Sequence, residues 1–126
     1  MVAMSTETAV EAAAVVGTDA GTEPRVALAT APDAEVAARI AHALVDERLA
    51  ACANLVPQVR SIYRWQGRVE DDTEVLLVIK TRADRVAALA DRLRALHPYE
   101  VPELVVLPVV GGLAAYLAWM SAETAP

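Results

Sequence analysis

The sequence predicts an α+β fold: a ferredoxin-like βαββαβ sandwich with an extended hairpin and a short C-terminal helix. Three observations carry this reading. Hydrophobic spacing switches between strand-like and helical in the order strand, helix, strand, strand, helix, strand, which is the split βαβ arrangement. A chain of 126 residues has room for one such domain and not for a second. Two of the strands, moreover, are apolar at every position, which calls for burial of both sheet faces.

Residues 1–23 are rich in Ala, Thr, Glu and Gly and have no sustained apolar period, so they read as a disordered N-terminal tail. Residues 24–126 form the folded domain. Its first strand is the short run Arg25 to Ala31, stopped by Pro32 and Asp33. From Asp33, a suitable N-cap, to about Ala50, Val36, Ile40 and Leu44 recur every four residues, while Glu35, Arg39, His42 and Asp46 form the polar face of a first helix. Cys52 to Gln66 and Val69 to Lys80 are rich in β-formers and flank a turn at Gly67, so together they make a long hairpin, with Pro57 marking a bulge or an edge. Arg82 to His97 is the second helix, apolar along Val86, Leu89, Leu93 and Leu96 and stopped by Pro98. Glu103 to Val110 is the fourth strand, and Leu113 to Glu123 a short helix after Gly111-Gly112.

Composition excludes several function classes. A net charge of −6 repels a phosphate backbone, so nucleic acid is not an expected partner. Cys52 is the single cysteine and has no partner for a disulfide within the chain, which suits a reducing cytoplasm. The N-terminus lacks the basic residues of a signal peptide. Leu104 to Ala122 is uncharged and nearly long enough to span a bilayer, but Pro108 and Gly111-Gly112 divide it into a strand and a helix, and no membrane partner is expected.

Val75 to Ile79 and Leu104 to Leu107 are the two strands without polar positions. No other segment of the chain is large enough to cover the second sheet face, so several copies are expected to pack their open faces together, with Val106 in the shared core; the short C-terminal helix folding back as a lid is the alternative.

Few residues suggest chemistry. Cys52 in AACAN reads as a small buried hydrophobe and His42 as a solvated side chain. Glu70, Asp71, Asp72 and Glu74 read as a solvated acidic face, with weak cation binding the alternative. His97 either caps the second helix or serves as a ligand, with Tyr99, Glu100 and Glu103 close behind it in the chain. Tyr63 and Trp65 share one strand face and suit a subunit contact. No phosphate loop, nucleophile elbow or zinc-helix motif occurs.

These residues resemble a known family. ATAPD at 29–33, LAACANLVPQVRSIYRWQGRVEDDTEVLLVIKT at 49–81, HPYEVPELVVLPV at 97–109 and YLAWM at 116–120 are similar to the CutA divalent-cation tolerance proteins, from about Pro24 to Glu123. The resemblance implies a tight homotrimer whose hairpins extend onto neighbouring subunits, a role in tolerance to copper and other divalent metals, and no catalysed reaction. Copper binding in that family is linked to a first-strand cysteine and a His pair before PY. Here those positions hold Ala29 and Leu96, leaving His97, with Glu103 retained in the PE motif. The resemblance therefore implies a divalent cation such as copper, bound weakly through His97 and Glu103 in an intersubunit cleft that Tyr63, Trp65 and Tyr99 help to line. A PII-like small-molecule module and a structural scaffold are the alternatives.

Overall fold

The structure, a computed structural model, describes residue 15 and residues 21–126. The expected tail over 1–23 otherwise lies outside the described residues. Its last three residues are docked: the Glu23 and Gly21 carbonyls accept hydrogen bonds from the Ala83 and Asp84 N–H groups at 2.8 and 2.7 Å.

The described elements are β1 (Pro24–Ala31), α1 (Ala34–Asp46), β2 (Cys52–Trp65), β3 (Arg68–Arg82), a 3-10 turn (Ala83–Arg85), α2 (Val86–Leu96), β4 (Val105–Pro108) and α3 (Ala114–Glu123). The four strands form one antiparallel sheet in the order β2-β3-β1-β4, as the split βαβ reading requires. Element boundaries differ from the sequence reading mainly at ends. The second helix opens as a 3-10 turn, and the fourth strand is four residues where eight were expected.

Local chemistry accounts for the turns. Asp33 caps α1 by accepting from the Val36 N–H at 2.8 Å. The helix ends four residues earlier than expected because Arg48 takes a left-handed conformation (φ 61), and the N–H groups of Arg48 and Leu49 turn back to the carbonyls of Val45 and Leu44. Glycine usually holds such a position. Arginine holds it here, and its side chain donates to the Ala122 and Ala125 carbonyls at 2.8 and 3.0 Å, tying the end of α3 to the end of α1. At the hairpin turn Gln66 and Gly67 both have positive φ (49 and 78), the two-residue geometry that matches strand twist. The break expected at Pro57 is a bulge between Val56 and Val59, where Gln58 is left-handed (φ 58).

Strand parity divides the sheet. Ala27, Ala29 and Ala31 of β1 and Val75, Leu77 and Ile79 of β3 are buried beneath Ile40 and Leu44 of α1 and Leu89 and Leu93 of α2. The opposite face carries Leu28, Leu76 and Val78, each half-buried, with Val56, Val105 and Leu107 exposed. Val106 pairs with Ala27 and packs against the protomer's own core, which corrects its expected place on the open face. Its neighbours Val105 and Leu107 are the open-face residues of β4, because a strand reverses sides at every step. Among the described residues no helix is long and apolar enough to cross a membrane.

Candidate functional site

Where β1 ends, the acidic part of β3 and the loop after α2 converge. His97 adopts an extended conformation (φ −84, ψ 135), which ends α2 and suits a residue before proline. The turn carries its ring inward, to 7% exposure. The ring nitrogen Nε2 lies 2.7 Å from the Thr30 carbonyl oxygen, and Nδ1 accepts from the Tyr99 N–H at 3.1 Å. These partners assign the tautomer, since Nε2 must donate to a carbonyl and Nδ1 must offer a lone pair to an N–H. Burial lowers the His97 pKa below its ordinary value, against an opposing contribution from the Thr30 bond. Both ring nitrogens are engaged, and a cation reaching either would have to displace a backbone partner.

Tyr99 leans on the His97 ring, with centroids 4.6 Å apart, and its hydroxyl donates to Glu74 Oε2 at 3.1 Å. Glu74 is 3% exposed, an unusual degree of burial for a carboxylate on a strand. Burial and then the Glu74 charge push the Tyr99 phenol up, and the same two causes raise the Glu103 pKa. Tyr63 donates to Asp72 across the hairpin, which pushes its pKa up to about 12. The register puts Thr30 opposite Leu76, one pair from Glu74, and alternation turns Thr30 and Glu74 to the same open face. Thr30 is 4% exposed, and its hydroxyl has no hydrogen-bond partner among the described residues.

The structure therefore brings His97, Tyr99 and Glu103 together around Glu74, with Tyr63 and Asp72 alongside. Trp65 is not part of this group. It pairs with Arg68 at the last rung of the hairpin, six residues from the Val59 rung that faces Glu74, or about 20 Å along the strand. Glu74 is the member that sequence reasoning missed by placing it in a solvated acidic run. The available signal was its parity with Leu76 and Val78 at the start of an apolar strand. Among the described residues no three His, Cys, Asp or Glu side chains are grouped so as to hold a metal ion.

A family model described as CutA1 divalent ion tolerance protein matches residues 25–123. This chain belongs to the CutA1 family. It is 54% identical over 99 residues to the divalent-cation tolerance protein CutA of Thermus thermophilus, covering 79% of this chain and 96% of that one. Protein CutA of Homo sapiens is 51% identical over 98 residues, covering 78% of this chain and 55% of that protein, so the chain spans about half the human relative's length. A solved structure of the divalent cation tolerance protein of Thermus thermophilus superimposes with a TM-score of 0.80 at 52% identity, covering 81% of this chain and 99% of that one. The CutA1 structure of Oryza sativa gives 0.79 at 43% identity, covering 82% and 96%.

Copper suits soft thiolate and imidazole donors, and the donor set of this CutA1-family chain does not fit that requirement. Ala29 is fully buried on the helix-covered face, opposite in parity to Thr30 and Glu74. Leu96 packs against the core, and the His97 nitrogens are occupied.

Proposed function

We propose that this CutA1-family chain acts in divalent-metal tolerance as a homotrimer that binds a divalent cation weakly at a cleft between subunits, and that it binds without turning over a substrate. One observation carries the reading: Glu74 is a buried carboxylate, held by the Tyr99 hydroxyl with Glu103 nearby, on the sheet face the protomer's own helices leave open. Burial of an ionised carboxylate is costly unless it is paired or coordinates a metal. The apolar row Leu28, Leu76, Val78, Val105 and Leu107 beside it supports assembly through the same face. A cytoplasmic location fits the single cysteine.

The acidic lining disfavours the PII-like alternative, because Asp72, Glu74 and Glu103 repel an organic anion. Light scattering on protein purified without a tag, followed by equilibrium dialysis against Mn2+, Zn2+ and Cu2+, tests the proposal. A trimer mass is expected, with bound metal that falls in Glu74→Gln. A monomer, or retention of no cation, refutes it.

A further inference from the structure

We propose that the outer half of the β2–β3 hairpin is a stiff arm hinged at the Val56/Val59 bulge, and that the run of hydrogen bonds Thr30–His97–Tyr99–Glu74 is a strut that fixes its angle to the rest of the protomer. This gives the doubly bonded His97 ring a conformational role that does not depend on a cation binding beside it.

The arm is defined by what β1 leaves uncovered. β1 pairs with β3 only from Val75 to Arg82. The rungs from Val59–Glu74 to Trp65–Arg68 therefore have no third strand beside them, and a two-stranded ladder about 20 Å long stands beyond the sheet. Such a ribbon is marginal by itself. This one is braced on both faces: Arg60 donates to the two Asp71 carboxylate oxygens at 2.8 and 2.6 Å on one side, and Tyr63 donates to Asp72 on the other.

That bracing stops at the bulge. Pro57 and Gln58 together stand against the single residue Val75, Pro57 has no N–H to give to a ladder, and Gln58 is left-handed (φ 58). Pairing is thus interrupted on β2 at the level where the arm leaves the three-stranded part of the sheet, which places the pivot there.

Glu74 is the first residue of β3 on the arm side of that pivot, and it is 3% exposed. The Tyr99 hydroxyl donates to its Oε2 at 3.1 Å from the loop after α2, and the Tyr99 N–H donates to His97 Nδ1 at 3.1 Å. His97 Nε2 lies 2.7 Å from the Thr30 carbonyl oxygen of β1, to which it donates. These bonds run without a gap from a strand of the sheet body to the arm. A group that takes Glu74 from Tyr99 would free the arm, which couples the candidate site to the hairpin tip about 20 Å away.

Time-resolved fluorescence anisotropy of Trp65, read in the full chain with Trp119→Phe so that one of the 2 tryptophans remains, tests the proposal together with hydrogen exchange, both without metal. Tyr99→Phe removes the donor to Glu74. It should lower the slowly decaying share of the Trp65 anisotropy, speed exchange of the residue-99 N–H about 10-fold and leave exchange over residues 60–72 unchanged. Gln58→Gly eases the pivot and leaves the strut in place, so Trp65 should stay as restrained as in the parent protein; this variant keeps the test open if Tyr99→Phe fails to fold. Unchanged Trp65 anisotropy in Tyr99→Phe overturns the proposal, as does loosening of Trp65 in Gln58→Gly alone, which would show that the bulge and not the strut sets the arm. Faster exchange over residues 60–72 in Tyr99→Phe also overturns it, because the arm would then be fraying instead of pivoting.

Discussion

Leu107→Asp and Val106→Asp change adjacent residues of one four-residue strand, and the structure predicts opposite failures. Leu107 is on the open face and remains 46% exposed in the protomer. Full burial of a leucine side chain is worth about 1.5–3 kcal/mol, so covering the exposed half in the proposed assembly would contribute about 1 kcal/mol per copy and about 3 kcal/mol over three copies. That is about 100-fold in the assembly constant. Aspartate adds the desolvation of a charge, several kcal/mol per ion, at each copy. With the proposed trimer as the wild-type state, the variant is expected as a folded monomer, with native far-UV circular dichroism and one third of the wild-type mass by light scattering. Val106 pairs with fully buried Ala27 and packs against the protomer core. Val106 is partly buried against that core, and a carboxylate there costs several kcal/mol against a total stability of about 5–15 kcal/mol, so Val106→Asp should show a large drop in melting temperature of the protomer itself. A Leu107→Asp protein of trimer mass with wild-type melting temperature would refute the assignment of the open face.

Other outcomes follow from single residues. Arg48→Ala keeps the left-handed backbone of Arg48 and loses its two bonds to α3, so thermal melting should show a loss of about 1 kcal/mol, whereas Arg48→Gly also relieves about 1 kcal/mol of backbone strain and should be near neutral. Leu89→Ala opens a cavity at a fully buried site of α2 and should cost about 3–5 kcal/mol in urea denaturation. Burial depresses the His97 pKa below 6.5, so below that pH the unfolded chain takes up a proton that the folded chain resists; stability should fall as pH drops from 6.5, and His97→Gln should flatten that slope in metal-free melts. Gly67→Ala places a side chain at φ 78 in the hairpin turn and should lower stability by about 1 kcal/mol on thermal melting.

Much of the fold was legible because periodicity reports which face of an element is covered. The stripe of Val36, Ile40 and Leu44 and the cap at Asp33 located α1, and Pro57 and Gly67 marked the bulge and the turn where they occur. The end of α1 was not legible, because Arg48 in a left-handed conformation depends on carbonyls 74 and 77 residues away in sequence. The orientation of β4 was hidden for a different reason. When every position of a strand is apolar, alternation carries no information, and only pairing with Ala27 and Leu28 of β1 shows which residues face the core. In the candidate site, His97, Tyr99 and Glu103 were visible as a sequence cluster, but the occupation of both His97 nitrogens by backbone groups was not.

The same parity argument explains why Glu74 matters more than its acidic neighbours. Along one face of β3 the residues run Glu70, Asp72, Glu74, Leu76, Val78 and Lys80, so the face changes from acidic to apolar between Glu74 and Leu76. Asp72 is exposed and pairs with Tyr63, whereas Glu74, at the boundary, is buried and accepts a hydrogen bond from the Tyr99 hydroxyl, and its charge helps to raise the Glu103 pKa. A carboxylate at that boundary is partly desolvated within one protomer, and packing of Leu76 and Val78 against further copies would exclude more water from it. A cation bound there would offset that cost, so metal binding and assembly would draw on one strand face. Adding Mn2+ should therefore raise the melting temperature of wild-type protein in a concentration-dependent way and leave that of Glu74→Gln unchanged. Equal stabilisation of both proteins would separate the cation from this strand.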